Sequence, residues 1–79
     1  MAKKPAQKLM KISQAAAAAG VTKQTVEYYI LVGLLTPLRT PAGGRAFDAA
    51  MVRRIRLIRK LNRSGYTLRS IRETYFRKK

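Results

Sequence analysis

The 79 residues leave room for one domain and one modest core, because so short a chain buries only about 60–65% of the surface its unfolded form exposes, and a two-domain enzyme with a deep cleft is excluded. Eighteen Lys and Arg against three acids give a formal charge of +15, dense enough to repel itself and to draw in a polyphosphate or an anionic surface. With no Cys and no His, disulfides, zinc fingers and imidazole chemistry are excluded, while apolar residues, 47% of the chain and regularly spaced, mark a folding sequence rather than a basic disordered tail.

Residues 1–10 mix Lys, Pro and Gln without apolar rhythm and are expected to form a mobile basic arm, with the domain proper over residues 11–79. No apolar run reaches the roughly 18 residues of a membrane-spanning helix, and Lys3, Lys4, Pro5 and Lys8 lead into an Ala run too short for a secretory signal. The expected location is cytoplasmic, on the nucleoid.

Ser13 is placed to cap a first helix through Gln14 and the five alanines Ala15 to Ala19, and Gly20 stands where a left-handed residue stops it. A run of alanines favours helix by propensity and also lets a neighbouring helix approach closely. Thr22 then caps a second helix from Lys23 to about Leu31, closed by Gly33. Two short helices joined by a Gly-containing turn are the mark of a helix-turn-helix. Val21 and Val26 turn inward in that arrangement, leaving Thr22, Lys23, Gln24, Glu27 and Tyr28 free to face outward.

Between Leu34 and Phe47, Gly43-Gly44 separates two short extended pieces and predicts a two-stranded hairpin, since such loops need the positive φ that Gly adopts without strain. Leu38 and Phe47 are expected to pin it to the core. Asp48 caps a third helix from Ala49 to about Arg63, with Met51, Val52, Ile55, Ile58 and Leu61 as its apolar stripe and Gly65 as its stop. Thr67 caps a fourth helix, where Leu68, Ile71 and Tyr75 share a face. The predicted class is mainly α: a winged helix-turn-helix with a small two-stranded β-hairpin wing and two C-terminal helices.

The run Ile12, Gly20-Val21-Thr22, Thr25-Val26-Glu27-Tyr28-Tyr29, Gly33-Leu34-Leu35, Pro37, Arg39, Gly43, Arg45, Phe47 and Gly65-Tyr66-Thr67-Leu68-Arg69-Ser70-Ile71 resembles the DNA-binding domain of the MerR family of bacterial regulators over roughly residues 10–73. The resemblance implies a second helix in the major groove and a wing on the sugar-phosphate backbone. Carried over by position, it assigns Thr22, Lys23, Gln24 and Tyr28 to the helix contacts, and Arg39, Gly43 and Arg45 to the wing, beside Gly44. Three slots depart from the family: Glu27 replaces an Arg, Ile30 an acid, and Gly43-Gly44-Arg45-Ala46-Phe47 the pattern Gly-Tyr-Arg-x-Tyr. The family's long dimer-forming helix and effector domain have no counterpart here, so no small-molecule effector is expected, and a homodimer that forms on the DNA is the expected assembly.

Base-edge chemistry gives these residues their roles: Gln24 can pair with adenine, Lys23 with guanine, and Glu27 can accept only from cytosine N4. Alternatively, Glu27 pairs with Lys23 one turn earlier or with an Arg of the third helix. The six basic residues of that helix are read either as a phosphate face or as a solvated exterior, with Arg53, Arg54 and Lys11 the candidates for phosphate contact. Tyr29 is assigned to the core. Carboxylates occur only at Glu27, Asp48 and Glu73, on separate elements, so neither catalysis nor a metal or other cofactor is expected. The expected activity is sequence-specific binding of duplex DNA in transcription. An excisionase-like factor that bends DNA is the closest rival, and a basic RNA-binding protein a more distant one.

Overall fold

The computed structural model describes residues 9–76, so most of the expected basic arm lies outside the described residues. Its last residue is part of the fold: Met10 and Phe47 exchange backbone hydrogen bonds of 2.8 and 2.9 Å in an antiparallel bridge. That bridge holds the chain extended as far as Lys11, and helix α1 (Ile12–Ala19) starts as soon as it ends. Ser13 therefore lies inside α1 rather than at its cap. Lys11 has no side-chain acceptor for the cap position, and the Gln14 side chain takes up the Lys11 amide instead, at 2.9 Å.

Gly20, at φ 77°, reverses the chain, and the Val21 amide donates back to the Ala16 carbonyl, ending α1 in a six-to-one closure. Helix α2 (Lys23–Leu31) follows with Thr22 as its cap, its hydroxyl accepting from the Thr25 amide. Gly33 stops α2 at φ 85°, with the Leu34 amide on the Tyr29 carbonyl. A side chain at Gly33 would be strained and crowded as well, since a Cβ there would lie 3.1 Å from the Arg72 Nε.

The wing consists of β1 (Leu38–Arg39) and β2 (Arg45–Ala46), antiparallel, with Leu38 opposite Ala46 and Arg39 opposite Arg45. Its loop differs from a Gly-Gly turn. A turn from Thr40 to Gly43 is closed by the Gly43 amide on the Thr40 carbonyl, and of the two glycines only Gly43 takes positive φ. Gly44 instead pairs back to Thr40, whose hydroxyl accepts its amide at 3.0 Å. Phe47 is fully buried and anchors the wing as expected, but Leu38 is 39% exposed and the small, buried Ala46 opposite it supplies the second anchor.

Helix α3 (Ala49–Arg63) starts at the Asp48 cap, where Oδ1 accepts from the Met51 amide at 2.9 Å, and α4 (Leu68–Tyr75) starts at the Thr67 cap. Val52, Ile55 and Ile58 of α3 pack with Ala15, Ala16 and Ala19 of α1, Val26 and Tyr29 of α2, and Ile71 of α4 in one core, with Met51 and Leu61 at its edge. Ala15, Ala16 and Ala19 face this core with so little bulk that α1 lies directly against both α2 and α3. On α4 the expected third apolar residue, Tyr75, stays 47% exposed, its ring edge-on to Tyr66, and Phe76 packs on the core in its place. The order is helix, helix, hairpin, helix, helix.

Candidate nucleic-acid interface

The outward set on α2 follows from where the core takes its side chains. Val26 and Tyr29 point inward, Tyr29 only 4% exposed, so Lys23, Gln24 and Tyr28 fall on the opposite face beside the capping Thr22. All four are exposed, Tyr28 by 52%. Burial raises the Tyr29 pKa above the usual tyrosine value and fits its place in the core. A crossed helix pair thus presents a polar, cationic edge on its second helix, and neither Lys23 nor Gln24 is buried against the protein.

Glu27 points toward the wing. Arg45 of β2 reaches it with both terminal nitrogens, Nη1 to Oε1 at 3.0 Å and Nη2 to Oε2 at 2.8 Å, a two-pronged charge-assisted pair joining α2 to the hairpin. These hydrogen bonds lower the Glu27 pKa and raise that of Arg45. The carboxylate is thus partnered neither by Lys23 nor by an α3 arginine. No local spacing signals this pair, since its members are 18 residues apart and meet only through the fold.

At the wing, Arg39 and the loop glycines Gly43 and Gly44 are exposed. Lys11 and Arg53 are exposed as well. Arg54 is not free: its Nε donates to the Leu34 carbonyl at 2.9 Å, and its guanidinium lies 3.8 Å from the centre of the Phe76 ring. Burial lowers its pKa from the usual arginine value. Within the protein, Arg54 ties α3 to the segment that follows α2 and to the end of α4.

Two further α3 arginines serve the fold in a way that composition did not reveal. Arg56 donates to the Ala18 carbonyl at 2.8 Å and Arg59 to the Gly20 carbonyl at 3.1 Å, so cations meet the unpaired carbonyls and negative dipole end of α1. Their spacing of three residues places both on the α1 side of α3, a signal present in the sequence but without a target until α1 is docked. A phosphate face and a solvated exterior were the two readings of the α3 charges; stapling of helix ends is a third, which Arg54, Arg56 and Arg59 adopt.

Among the described residues, no group of three or more His, Cys, Asp or Glu is placed to hold a metal ion, and no helix is long and apolar enough to cross a membrane. A depression of about 890 Å³ opens between Gly33, Leu35, Met51, Arg54, Arg72 and Phe76 and includes none of the exposed α2 or wing residues.

Packed helices α1 and α2, an exposed polar face on the second, and a basic hairpin clamped beside it define a winged helix-turn-helix domain. The chain belongs to the MerR HTH family of regulatory proteins, whose family model matches residues 10–75. It is 40% identical over 63 residues to the HTH-type transcriptional regulator CueR of Bacillus subtilis (strain 168), a match covering 80% of this chain and 44% of that protein. It is similar in structure, with a TM-score of 0.76 and 25% identity, to HiNmlR, a MerR family regulator lacking the sensor domain, solved bound to promoter DNA; the match covers 84% of this chain and 51% of that one. A MerR family transcriptional regulator from Bacillus cereus shares the fold at a TM-score of 0.77 and 23% identity, over 91% of this chain and 55% of that one. The chain spans less than half the length of the curated relatives it matches.

Proposed function

We propose that this chain binds duplex DNA and acts as a transcriptional regulator at a promoter or operator, working in the nucleoid. Helix α2 enters the major groove, Gln24 and Lys23 read base edges, Tyr28 donates its hydroxyl to a phosphate, and Arg39 and the backbone at Gly43 and Gly44 track the adjacent strand. The observation that carries this reading is the exposed set Thr22, Lys23, Gln24 and Tyr28 on a capped helix whose other face is locked in the core. The net charge of +15 supplies the attraction to phosphate, and HiNmlR, of the same fold, occupies promoter DNA. Two chains pairing on adjacent half-sites complete the proposed complex.

The test is selection of bound duplexes from a random pool by the full chain, followed by footprinting. A recovered consensus, with preference over random duplex in a gel shift at about 150 mM salt, supports the reading. Equal binding of random and selected duplexes refutes the sequence-specific form.

A further inference from the structure

Glu27 is the only acid on α2, and its position on a helix proposed to lie in a groove lined with phosphates is electrostatically unfavourable unless it does something there. The other two acids have local tasks: Asp48 caps α3, and Glu73 sits beside Arg69 on α4. Glu27 instead engages both terminal nitrogens of Arg45 across the junction of helix and wing. We propose that Glu27 is a specificity-determining residue that holds Arg45 off the DNA backbone and fixes the wing against the recognition helix, lowering indiscriminate attraction to phosphate. The inference rests on the DNA-binding reading above.

Three features of the geometry support it. The two-pronged pair occupies the fork with which an arginine grips a phosphate, so Arg45 cannot make that grip while Glu27 keeps it. Arg45 also stands directly opposite Arg39 across the two strands, a like-charge pair that would push the wing apart without a counter-charge, and Glu27 supplies one. Strands of two residues each have little stability of their own, so a clamp to α2 sets the angle at which the wing meets the groove. Lys23, one turn before Glu27, has no part in the pair and stays available to the bases.

The effect is read from salt dependence. Each phosphate neutralised adds about −0.9 to the slope of log K against log salt, which near 0.15 M corresponds to a gain of about five-fold in affinity. Binding to a random duplex is measured by fluorescence anisotropy between roughly 50 and 300 mM salt, using the full chain and three variants. The lock predicts that Glu27→Gln binds random duplex about five-fold more tightly with a slope steeper by about 0.9, as Arg45 is released to a phosphate. The double variant Glu27→Gln/Arg45→Gln, which keeps the wild-type net charge, returns to the wild-type slope. Glu73→Gln, which makes the same change of net charge on α4, leaves the slope unchanged.

Equal steepening by Glu27→Gln and Glu73→Gln overturns the proposal, because the effect would then be one of overall charge. Weaker binding by Glu27→Gln overturns it too, since Glu27 would then be making a base contact of its own. A wild-type chain that does not bind duplex at the lowest salt overturns the DNA-binding reading, and the lock with it; normal wild-type binding with an unaltered Glu27→Gln slope overturns the lock alone.

Discussion

Gln24 and Glu27 lie three residues apart on one helix and separate the two things a groove-facing residue can do. Gln24 has no partner within the protein among the described residues and is free to make a bidentate contact to adenine, whereas Glu27 is held by the wing. Replacing Gln24 by Ala should cost about 1–3 kcal/mol of discrimination at one base pair and leave the other positions of a selected site intact, as read by competition with single-position variants of that site. The Glu27 carboxyl has its folded-state pKa depressed by Arg45, so the stability it contributes is present above its unfolded value and lost as pH falls through the depressed one. The wing should therefore stay docked at neutral pH and loosen only once the pH has fallen below 4.5, the ordinary glutamate value, which amide relaxation at Thr40 and Arg45 would report. Exposure of Thr22, Lys23, Gln24 and Tyr28 was legible from the sequence, since Val26 and Tyr29 fix the helix phase. The partner of Glu27 was not, because nothing within a turn of helix specifies what a hairpin 18 residues away will bring.

Elements whose limits are set by local chemistry were the legible ones. Thr22, Asp48 and Thr67 each cap the helix predicted for them, and Gly33 and Gly65 take the positive φ that ends one, because a cap acts within about four residues of itself. Asp48→Ala should accordingly lower stability by about 1 kcal/mol in chemical denaturation. The start of α1 was misplaced because a bridge to Phe47, far along the chain, sets it. Leu38 and Tyr75 were misassigned for a related reason. Periodicity says which residues are able to be buried, and Ala46 and Phe76 occupy the core that those two were expected to fill. The roles of Arg56 and Arg59 show the same limit: the sequence gives their side of α3 but not the open carbonyls opposite. Removing both guanidiniums should destabilise the fold by about 1 kcal/mol, a value kept low by solvent exposure, and should speed amide exchange in the last turn of α1.

At the scale of the molecule, one core, with side chains ranging from alanine to Phe47 and Tyr29, is set against a formal net charge of +15. Self-repulsion opposes the folded state at low ionic strength, and the pairs that oppose it are few: Glu27 with Arg45 and Glu73 with Arg69 among the described residues. The melting temperature should rise as salt increases from about 20 to 200 mM, the range over which the Debye length falls below the spacing of surface charges. Ile55, fully buried among the helices, tests the core in the opposite sense: Ile55→Ala should cost about 2–5 kcal/mol at any salt concentration. Specificity then comes from geometry rather than charge, since charge alone binds any duplex.

The open face of α2, with the wing clamped beside it, is the surface proposed to meet the double helix. Titrating the isotopically labelled chain with a short duplex and following backbone amide shifts tests it directly. Large shifts over Thr22–Tyr28 and Gly43–Arg45, with the depression between Gly33 and Phe76 unaffected, are the outcome required; shifts confined to α4 and that depression, with α2 unmoved, would contradict it.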